Sequence, residues 1–242
     1  MSKATTLNQS FLGIELTEEI VRVPTGIVEL DALIEGGFPK DSLTIIAGYP
    51  GSGKSTMAAQ YIYEGATKYG EKGVYVCFAE TKRSLQKMWK RFGWDFERLE
   101  FEGKASILDL TTIKESGLQN SINTIFEKVN SLKASRLVID SFTGITLALR
   151  EPSDIRFLLH LVYKFIQEIR CTTIIVVDTQ WGTQRIGSGV EEFIADGIIL
   201  LQTYFDDNGG LKRRLRVLKM RGTSHTKETH YYDISPTGVK IV

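Results

Sequence analysis

A glycine-rich segment that ends in lysine and serine carries the strongest chemical signal in the sequence. Residues 48–55 read Gly-Tyr-Pro-Gly-Ser-Gly-Lys-Ser and match the pattern G-x-x-x-x-G-K-[ST] at every fixed position. Glycines in such a loop let backbone N–H groups turn towards phosphate oxygens, and the N-terminus of a following helix adds positive potential. Lys54 would supply a point charge at the outer phosphates, and the Ser55 hydroxyl would ligate the Mg²⁺ that bridges them. The segment therefore predicts a phosphate-binding site.

The two flanks of this glycine loop have the composition that a phosphate site requires. Residues 42–47 predict a buried strand before the loop, and the mostly apolar residues 56–62 predict a helix that starts after it. Strand, glycine loop and helix is the context in which the pattern binds phosphate. The alternative is a chance match in an ordinary tight turn, which would have to reproduce all fixed positions and both flanks.

Two carboxylates at the ends of predicted strands are candidates for the metal site and the catalytic base. Asp140 ends the apolar run 136–140, and ligands of open α/β sheets bind at the carboxyl ends of the strands. It is either a residue that holds magnesium through water or an ordinary strand end. Glu80 follows the apolar run 74–79, where it would orient and deprotonate an attacking water or serve as an acid before a helix.

Gln180 and a basic segment leave several interpretations open. Gln180 follows a strand predicted at 172–177 and either hydrogen-bonds the terminal phosphate or the water, or is a polar loop residue. Residues 212–221 are locally basic with no acid, and strand alternation places Lys219 and Arg221 on one face. This segment is a nucleic-acid patch, a solvated strand face, or a source of cationic fingers that reach a phosphate. The lack of interleaved aromatic residues disfavours stacking on single-stranded nucleic acid.

Length and composition favour one large globular domain. The chain has 242 residues, of which 42% are hydrophobic and 24% charged, and both fractions are ordinary for a globular protein. A net charge of +1 gives no global attraction to nucleic acid or to a membrane. Cys77 and Cys171 do not form a metal pattern and predict buried, reduced thiols. With no signal peptide and no apolar run of membrane length, we expect a cytoplasmic protein without a membrane partner.

Predicted strands and helices alternate along most of the chain. Strands are predicted at 42–47, 74–79, 107–110, 136–140 and 172–177, and helices at 25–34, 56–62, 82–92, 121–132 and 153–169. This alternation implies right-handed crossovers and a mostly parallel sheet. The later strands, at 197–201, 212–220, 231–234 and 239–242, follow one another directly, with a turn signal at 206–210.

The whole pattern predicts an α/β fold. Helices should flank a twisted, mostly parallel central sheet, and the last strands should form an antiparallel hairpin extension. We expect one domain at residues 23–242, preceded by a tail or short capping segment at residues 1–22.

Several segments occur together in one known family. In chain order they are Thr25-Gly26 through Leu30-Asp31 to Gly36-Gly37, the glycine loop, Phe92-Gly93-Trp94-Asp95, Ile139-Asp140-Ser141, Gly189-Val190-Glu191-Glu192-Phe193 and Lys219-Met220-Arg221-Gly222-Thr223-Ser224-His225. From about Val23 onwards the chain resembles the KaiC-like branch of the RecA superfamily. The last segment is its most specific part, because phosphate loops are shared widely. The resemblance implies a RecA-like P-loop NTPase fold in a single-domain KaiC-like ATPase, whereas KaiC itself carries two such domains.

The resemblance also implies roles for particular residues. The family assembles as rings, often hexamers, with ATP between neighbouring subunits. The residues that would hold the phosphates are Gly48, Gly51, Ser52, Gly53, Lys54, Ser55 and Thr56. Those that match contacts from the adjacent subunit are Lys219, Arg221 and His225, with Met220 and Thr223 as further nucleotide contacts. ATP and Mg²⁺ are the implied cofactors, with Ser55 and Asp140 at the metal and Glu80, Lys54 and Gln180 in catalysis. Cationic residues that reach the nucleotide of an adjacent subunit explain the basic strand better than a nucleic-acid-binding surface does.

The chain departs from the family at one catalytic position. KaiC domains usually carry paired glutamates after the second strand, whereas this chain has Ala79 and Glu80. Hydrolysis is therefore expected to be slow or to depend on Glu80 alone.

Three functions stay open at this point. The first is a ring-forming regulatory ATPase that acts on an unidentified protein client. The second is a RecA-like DNA repair or recombination accessory protein, although the loop at 181–189 is short and has one cation for a DNA-binding loop. The third is a nucleotide-gated scaffold with little turnover, which the alanine at position 79 motivates.

Overall fold

The computed structural model describes residues 19–111, 118–146, 151–183, 186–187 and 191–242. Of the predicted N-terminal segment 1–22, residues 1–18 lie outside the described residues, as do residues 184–185 and 188–189 of the loop predicted at 181–189. No described helix combines the length and the apolar composition that a membrane crossing needs.

The described secondary structure follows the predicted order closely. The strands are β1 (Arg22–Val23), β2 (Phe38–Pro39), β3 (Leu43–Gly48), β4 (Gly73–Cys77), β5 (Ala105–Asp109), β6 (Arg136–Asp140), β7 (Thr172–Asp178), β8 (Gly197–Phe205), β9 (Leu211–Met220), β10 (His230–Ser235) and β11 (Gly238–Ile241). The helices are α1 (Val28–Leu33), α2 (Lys54–Lys68), α3 (Lys82–Trp89), α4 (Phe96–Phe101), α5 (Leu118–Leu132), α6 (Phe142–Thr146), α7 (Pro152–Ile169) and α8 (Glu191–Ile194), with a 3₁₀ turn at Lys90–Phe92.

Among the described residues, nine strands form one sheet in the order β11-β10-β9-β8-β3-β7-β6-β4-β5. The six strands from β8 to β5 in that order are parallel. The last three strands of the chain add antiparallel pairs at the other edge. The predicted α/β fold, with its parallel sheet and antiparallel extension, is confirmed.

Burial on both faces explains why the central strands are apolar along their whole length. All residues of β3 and β4 are buried. Alternate residues of these strands join two separate clusters, with Ile46 and Tyr75 in one and Ile45 and Val74 in the other. Helix α2 contributes to the first cluster, and α5 and α7 contribute to the second. A parallel sheet covered by helices on both faces requires this composition.

Two local elements differ from the sequence prediction. The helix predicted at 82–92 is interrupted, because α3 ends at Trp89 and passes through the 3₁₀ turn into Gly93, whose φ of 77° suits glycine. The short helix α4 was not predicted at all. The Asp95 carboxylate caps it by accepting a hydrogen bond of 3.0 Å from the Arg98 N–H. Phe96 and Leu99 anchor this helix in the core.

A buried arginine in the sheet contacts helix α2 directly. Arg136 at the start of β6 is completely buried and forms an ion pair with Glu71. Its guanidinium also donates to the Tyr61 carbonyl at 2.7 Å and lies 4.4 Å from the centroid of the Tyr61 ring. A Cβ at Gly65 would lie 2.4 Å from Arg136 Nε, so the helix needs glycine there to approach this closely. This contact helps set the position of the helix that begins at the phosphate loop.

Candidate phosphate and magnesium site

The glycine loop connects the carboxyl end of β3 to the first turn of α2, as the sequence predicts. Gly51 and Gly53 have φ values of 76° and 91°, which residues with a side chain rarely adopt. At Gly48 a Cβ would lie 2.3 Å from the Leu201 carbonyl oxygen of the neighbouring strand β8. The loop therefore needs glycine at these positions, and Thr56 lies buried in the helix turn that follows.

The C-terminal hairpin of β10 and β11 packs against this loop. The Tyr232 hydroxyl of β10 donates a hydrogen bond of 2.5 Å to the Ser52 carbonyl. A Cβ at Gly53 would lie 2.7 Å from Ile234 Cδ1, so β10 packs directly on the loop. The Ser52 hydroxyl is buried without a hydrogen-bond partner among the described residues. A buried polar atom of this kind needs a partner, and a phosphate oxygen would be a suitable one.

The Lys54 ammonium lies folded over its own loop. Its Nζ donates to the carbonyl oxygens of Gly48 and Tyr49 at 2.9 and 3.0 Å. It also forms an ion pair of 3.1 Å with Asp178 Oδ1 at the end of β7. Only 7% of the Lys54 side chain is exposed, so these oxygens take the place of solvent. Sequence reasoning identified Lys54 but did not identify Asp178.

The predicted metal residues Ser55 and Asp140 lie together. Asp140 ends β6 and hydrogen-bonds both the Ser55 hydroxyl and the Tyr75 hydroxyl, which donates to Asp140 Oδ2. Burial raises the pKa of the Asp140 carboxyl above its usual value, and these two hydrogen bonds oppose that shift. Hydroxyl and carboxylate oxygens are the donors that Mg²⁺ prefers, so the pair fits this ion. No three described His, Cys, Asp or Glu side chains are grouped to hold a metal unaided, so phosphate or water oxygens would complete its coordination.

One open cavity of about 240 Å³ joins the glycine loop to these carboxylates. Its described lining residues are Pro50, Gly51, Lys54, Ser55, Cys77, Ala79, Glu80, Leu85, Asp140, Ser141 and Asp178. One lysine therefore faces three carboxylates. Burial raises the pKa of the Cys77 thiol to about 12, so this lining residue is a neutral thiol and contributes no charge.

The two other predicted catalytic residues have different positions. Glu80 is exposed in the cavity wall just before α3, and its Oε2 accepts a hydrogen bond of 3.0 Å from the Ser84 hydroxyl. The N-cap of α3 is Thr81, so Glu80 is not the capping residue. Gln180 is exposed and is absent from the described lining of the cavity, and its carbonyl accepts hydrogen bonds from Thr183.

The basic residues near the end of β9 lie away from the glycine loop. Lys219 pairs with Ile198 of β8, which in turn pairs with Ile45, three residues before Gly48 on β3. At about 3.3 Å per strand residue, Lys219 is displaced from the loop by roughly 10 Å along the sheet. It therefore lies towards the amino edge of the parallel strands, whereas phosphate would bind at the carboxyl edge.

Local contacts hold these basic residues at the amino edge. Lys219 Nζ donates to the Glu192 carbonyl at 3.2 Å, and Arg221 Nη1 lies 3.0 Å from Asp196 Oδ1. Burial lowers the pKa of Lys219, and the nearby Arg221 charge lowers it further. About half of the Arg221 side chain is exposed, so it is available to a neighbouring molecule.

The remaining predicted contacts of this segment are Met220, Thr223 and His225, which have local partners in the structure. Met220 is buried in the core against Gly197, so it could offer a neighbour only its backbone. The Thr223 hydroxyl accepts a hydrogen bond from Arg22, and His225 Nδ1 lies 2.7 Å from the Thr226 carbonyl.

Comparison with known proteins identifies the family. The family model described as "ATPase: KaiC" matches residues 23–242. The chain belongs to the KaiC ATPase family. Its relatives include a UPF0273 protein from Methanocaldococcus jannaschii, 34% identical over 91% of this chain and 96% of that protein. The circadian clock oscillator protein KaiC from Synechococcus elongatus is 31% identical over 93% of this chain, which spans 44% of that longer protein.

A solved structure shows the same fold. The KaiC-like protein from the hyperthermophilic archaeon Pyrococcus horikoshii superposes with a TM-score of 0.85 at 39% identity, covering 92% of this chain and 99% of that one. The predicted KaiC-like family and RecA-like fold are confirmed. Membership in this ATPase family and the geometry of the glycine loop together support nucleotide binding.

Proposed function

We propose that this protein binds ATP with Mg²⁺ and hydrolyses it slowly in a ring of identical subunits, with each nucleotide held between two neighbours. The observation that carries this proposal is the position of the two halves of the site. Each subunit presents a phosphate loop at the carboxyl edge of its sheet and Lys219 with Arg221 towards the opposite edge. Within one subunit, strand register displaces the two halves by roughly 10 Å along the sheet, which favours a site shared between two subunits.

A head-to-tail arrangement of subunits would bring the two halves together. In such an arrangement one edge of each subunit contacts the other edge of the next, and the series closes into a ring when the rotation permits. Arg221 would then approach the outer phosphates bound by its neighbour, where its charge stabilises the negative charge of the transition state. The number of subunits in the ring, which family resemblance puts at six, belongs to this proposal.

Within the phosphate side, each residue has a distinct task. Lys54 would turn from its loop carbonyls to the outer phosphates, and Ser55 and Asp140 would hold the metal. Mg²⁺ at that position would neutralise phosphate charge. Glu80, which lines the same cavity, would orient and deprotonate the attacking water. Because Ala79 stands where the family usually has a first glutamate, we expect turnover to be slow.

Asp140→Asn and Glu80→Gln should separate binding from chemistry. Asp140→Asn removes the charge beside the metal and should weaken Mg²⁺–ATP binding by about tenfold, a change of about 1.4 kcal/mol. Glu80→Gln should leave binding intact and lower the turnover rate by about 10²-fold or more if Glu80 is the general base. Titration calorimetry with Mg²⁺–ATP and a phosphate-release assay measure the two effects.

Glu97→Gln is the matched control for these variants. Glu97 forms an exposed ion pair of 2.6 Å with Lys90 on the surface, outside the described lining of the phosphate cavity, and its removal should change neither quantity. Normal hydrolysis by Glu80→Gln would show that the base is another residue or that chemistry is not rate-limiting. Wild-type protein that binds ATP with negligible turnover would support the scaffold function instead.

A second candidate function is binding of single-stranded nucleic acid, and one observation favours it. The basic strand has no aromatic residues of its own, but the fold places β8 beside it. Tyr204 pairs with Lys212 in the register, and the Arg214 guanidinium lies 5.2 Å from the Tyr204 ring centroid. Tyr231 of β10 is half exposed and lies 6.2 Å from Tyr204 between ring centroids. Tertiary structure therefore supplies the aromatic groups whose absence disfavoured this function in the sequence.

Fluorescence anisotropy with labelled single-stranded DNA at low salt tests this second candidate. If the surface binds nucleic acid, Tyr204→Ala should weaken binding by about 1–3 kcal/mol, the typical value of one base–aromatic stack. The affinity should also fall steeply as salt is added. No detectable binding by the wild-type protein at low salt would exclude this function.

A further inference from the structure

Asp178 is a carboxylate that lies beside the phosphate loop. It ends β7, the strand that lies between β3 and β6 in the sheet. Its backbone N–H donates to the Thr143 hydroxyl at 2.9 Å, and the next N–H, of Thr179, donates to the Gly48 carbonyl at 3.0 Å. The backbone on both sides of the carboxylate is therefore fixed to the site.

The Asp178 carboxylate contacts the Lys54 ammonium, which is the group that a bound phosphate would need to contact. Its Oδ1 lies 3.1 Å from Lys54 Nζ, whereas about half of the carboxylate side chain is exposed to the cavity. A P-loop lysine acts by contacting the outer phosphates of the nucleotide. The same ammonium has few free donors, because two of its hydrogen bonds go to the Gly48 and Tyr49 carbonyls. Phosphate must therefore compete with Asp178 for Lys54.

The charge of the cavity adds to this competition. Its described lining holds Lys54 as a single cation against Glu80, Asp140 and Asp178. A triphosphate that enters without metal brings more negative charge into this acidic space. Mg²⁺ carries two positive charges and would offset the repulsion, since bound cations are often the largest local charges in a site.

We propose that Asp178 is a selectivity and positioning residue that holds Lys54 in the nucleotide-free site and makes ATP binding depend on Mg²⁺. This inference rests on the proposed ATP-binding function and deepens it. Asp178 discriminates against metal-free nucleotide by repulsion and by competition for Lys54. Bound Mg²⁺ would supply positive charge near Asp178, and Lys54 would then be free to contact the phosphates.

The test compares ATP affinity with and without metal. Dissociation constants are measured by titration calorimetry in excess EDTA and in saturating Mg²⁺ for the wild type, Asp178→Asn and Asp207→Asn. Asp207 lies in the exposed turn between β8 and β9 and controls for the loss of one negative charge. For Asp178→Asn we expect metal-free ATP to bind about tenfold more tightly, the scale of one half-exposed charge interaction. Its affinity for Mg²⁺–ATP should change little. The dissociation constant in EDTA divided by the dissociation constant in Mg²⁺ should therefore fall about tenfold.

Two further measurements separate selectivity from a structural role. Asp178→Glu keeps the charge, and its metal-free binding should stay weak. The gain of Asp178→Asn should also shrink as ionic strength rises, because salt screens repulsion at an open cavity. Asp207→Asn should keep the wild-type ratio.

Failure of this inference can be distinguished from failure of the proposed function. If the wild type binds Mg²⁺–ATP and folded Asp178→Asn keeps the wild-type ratio of constants, the selectivity role is overturned. If Asp178→Asn does not fold, Asp178→Ser provides the same neutralisation with a smaller side chain and must lower the ratio. A wild type that binds no ATP in Mg²⁺ would instead overturn the proposed function.

Discussion

Lys54→Ala should abolish ATP binding while the fold survives. The ammonium is the single cation in the described lining of the phosphate cavity, so its removal leaves the phosphates facing carboxylates. We expect the dissociation constant for Mg²⁺–ATP to rise by about 10²-fold or more, the usual cost of truncating one partner of a buried charge contact. Its hydrogen bonds go to loop carbonyls and its ion pair to Asp178, so neither hydrophobic cluster depends on them. Calorimetric titration measures the affinity, and circular dichroism measures the fold.

Lys68→Ala is the matched control for this variant. Lys68 lies in the last turn of the same helix, more than half exposed, and pairs with Glu64 at 2.6 Å. Glu64 is largely buried, but Lys68 itself is exposed and lies outside the described lining of the phosphate cavity, so ATP affinity should stay at the wild-type value. Wild-type affinity in a folded Lys54→Ala protein would contradict the assignment of the glycine loop as the phosphate site.

Arg221→Ala should lower turnover without unfolding the protein, and its activity should be rescued in mixtures. Arg221 is about half exposed at the amino edge of the sheet, where its contact is an ion pair with Asp196. In the proposed ring it acts on a neighbour's nucleotide, and arginine fingers supplied in trans contribute about 10³-fold or more to turnover. Activity per wild-type subunit should also rise with protein concentration as rings assemble.

Complementation between two inactive variants is the decisive form of this experiment. A mixture of Arg221→Ala and Lys54→Ala subunits contains some interfaces that pair an intact phosphate loop with an intact Arg221. Phosphate release by the mixture should therefore exceed that of either variant alone. Arg98→Ala is the control, since Arg98 is an exposed residue of α4 that pairs with Glu102. It should be fully active in isolation.

Two results would overturn the proposal of a shared site. One is a monomer whose activity is full and independent of concentration. The other is an absence of rescue in mixtures that native mass spectrometry shows to co-assemble. If Arg221→Ala lost DNA binding and kept its ATPase activity, the nucleic-acid function of the basic segment would be favoured instead.

Local sequence patterns determined most of the fold. The strand predicted at 136–140 has the observed bounds, and the helix predicted at 153–169 begins one residue earlier. Short continuous apolar runs predict buried strands, and apolar residues at helical spacing predict amphipathic helices, so the type of each long element can be identified from sequence. The glycine loop was predictable for a similar reason. Its glycines adopt φ values that other residues avoid, so the positions of glycine in the sequence indicate the backbone conformation of the loop.

Shorter elements were harder to predict because tertiary contacts decide them. Helix α4 has six residues, too few for a periodic pattern, and it exists because Asp95 caps it and Phe96 is buried. The strands β1 and β2 have two residues each and are defined by pairing with one another.

What only the tertiary structure decided is which charges face one another. No spacing rule connects Lys54 with Asp178, which are far apart in the sequence and meet because β3 and β7 are neighbouring parallel strands. The same is true of Arg214 and Tyr204, which the β8–β9 register brings together. Lys219 was identified from sequence, but its distance from its own phosphate loop follows from strand register. Chemistry at this site depends on distances of a few ångströms across the sheet, and those distances exist only after the strands have paired.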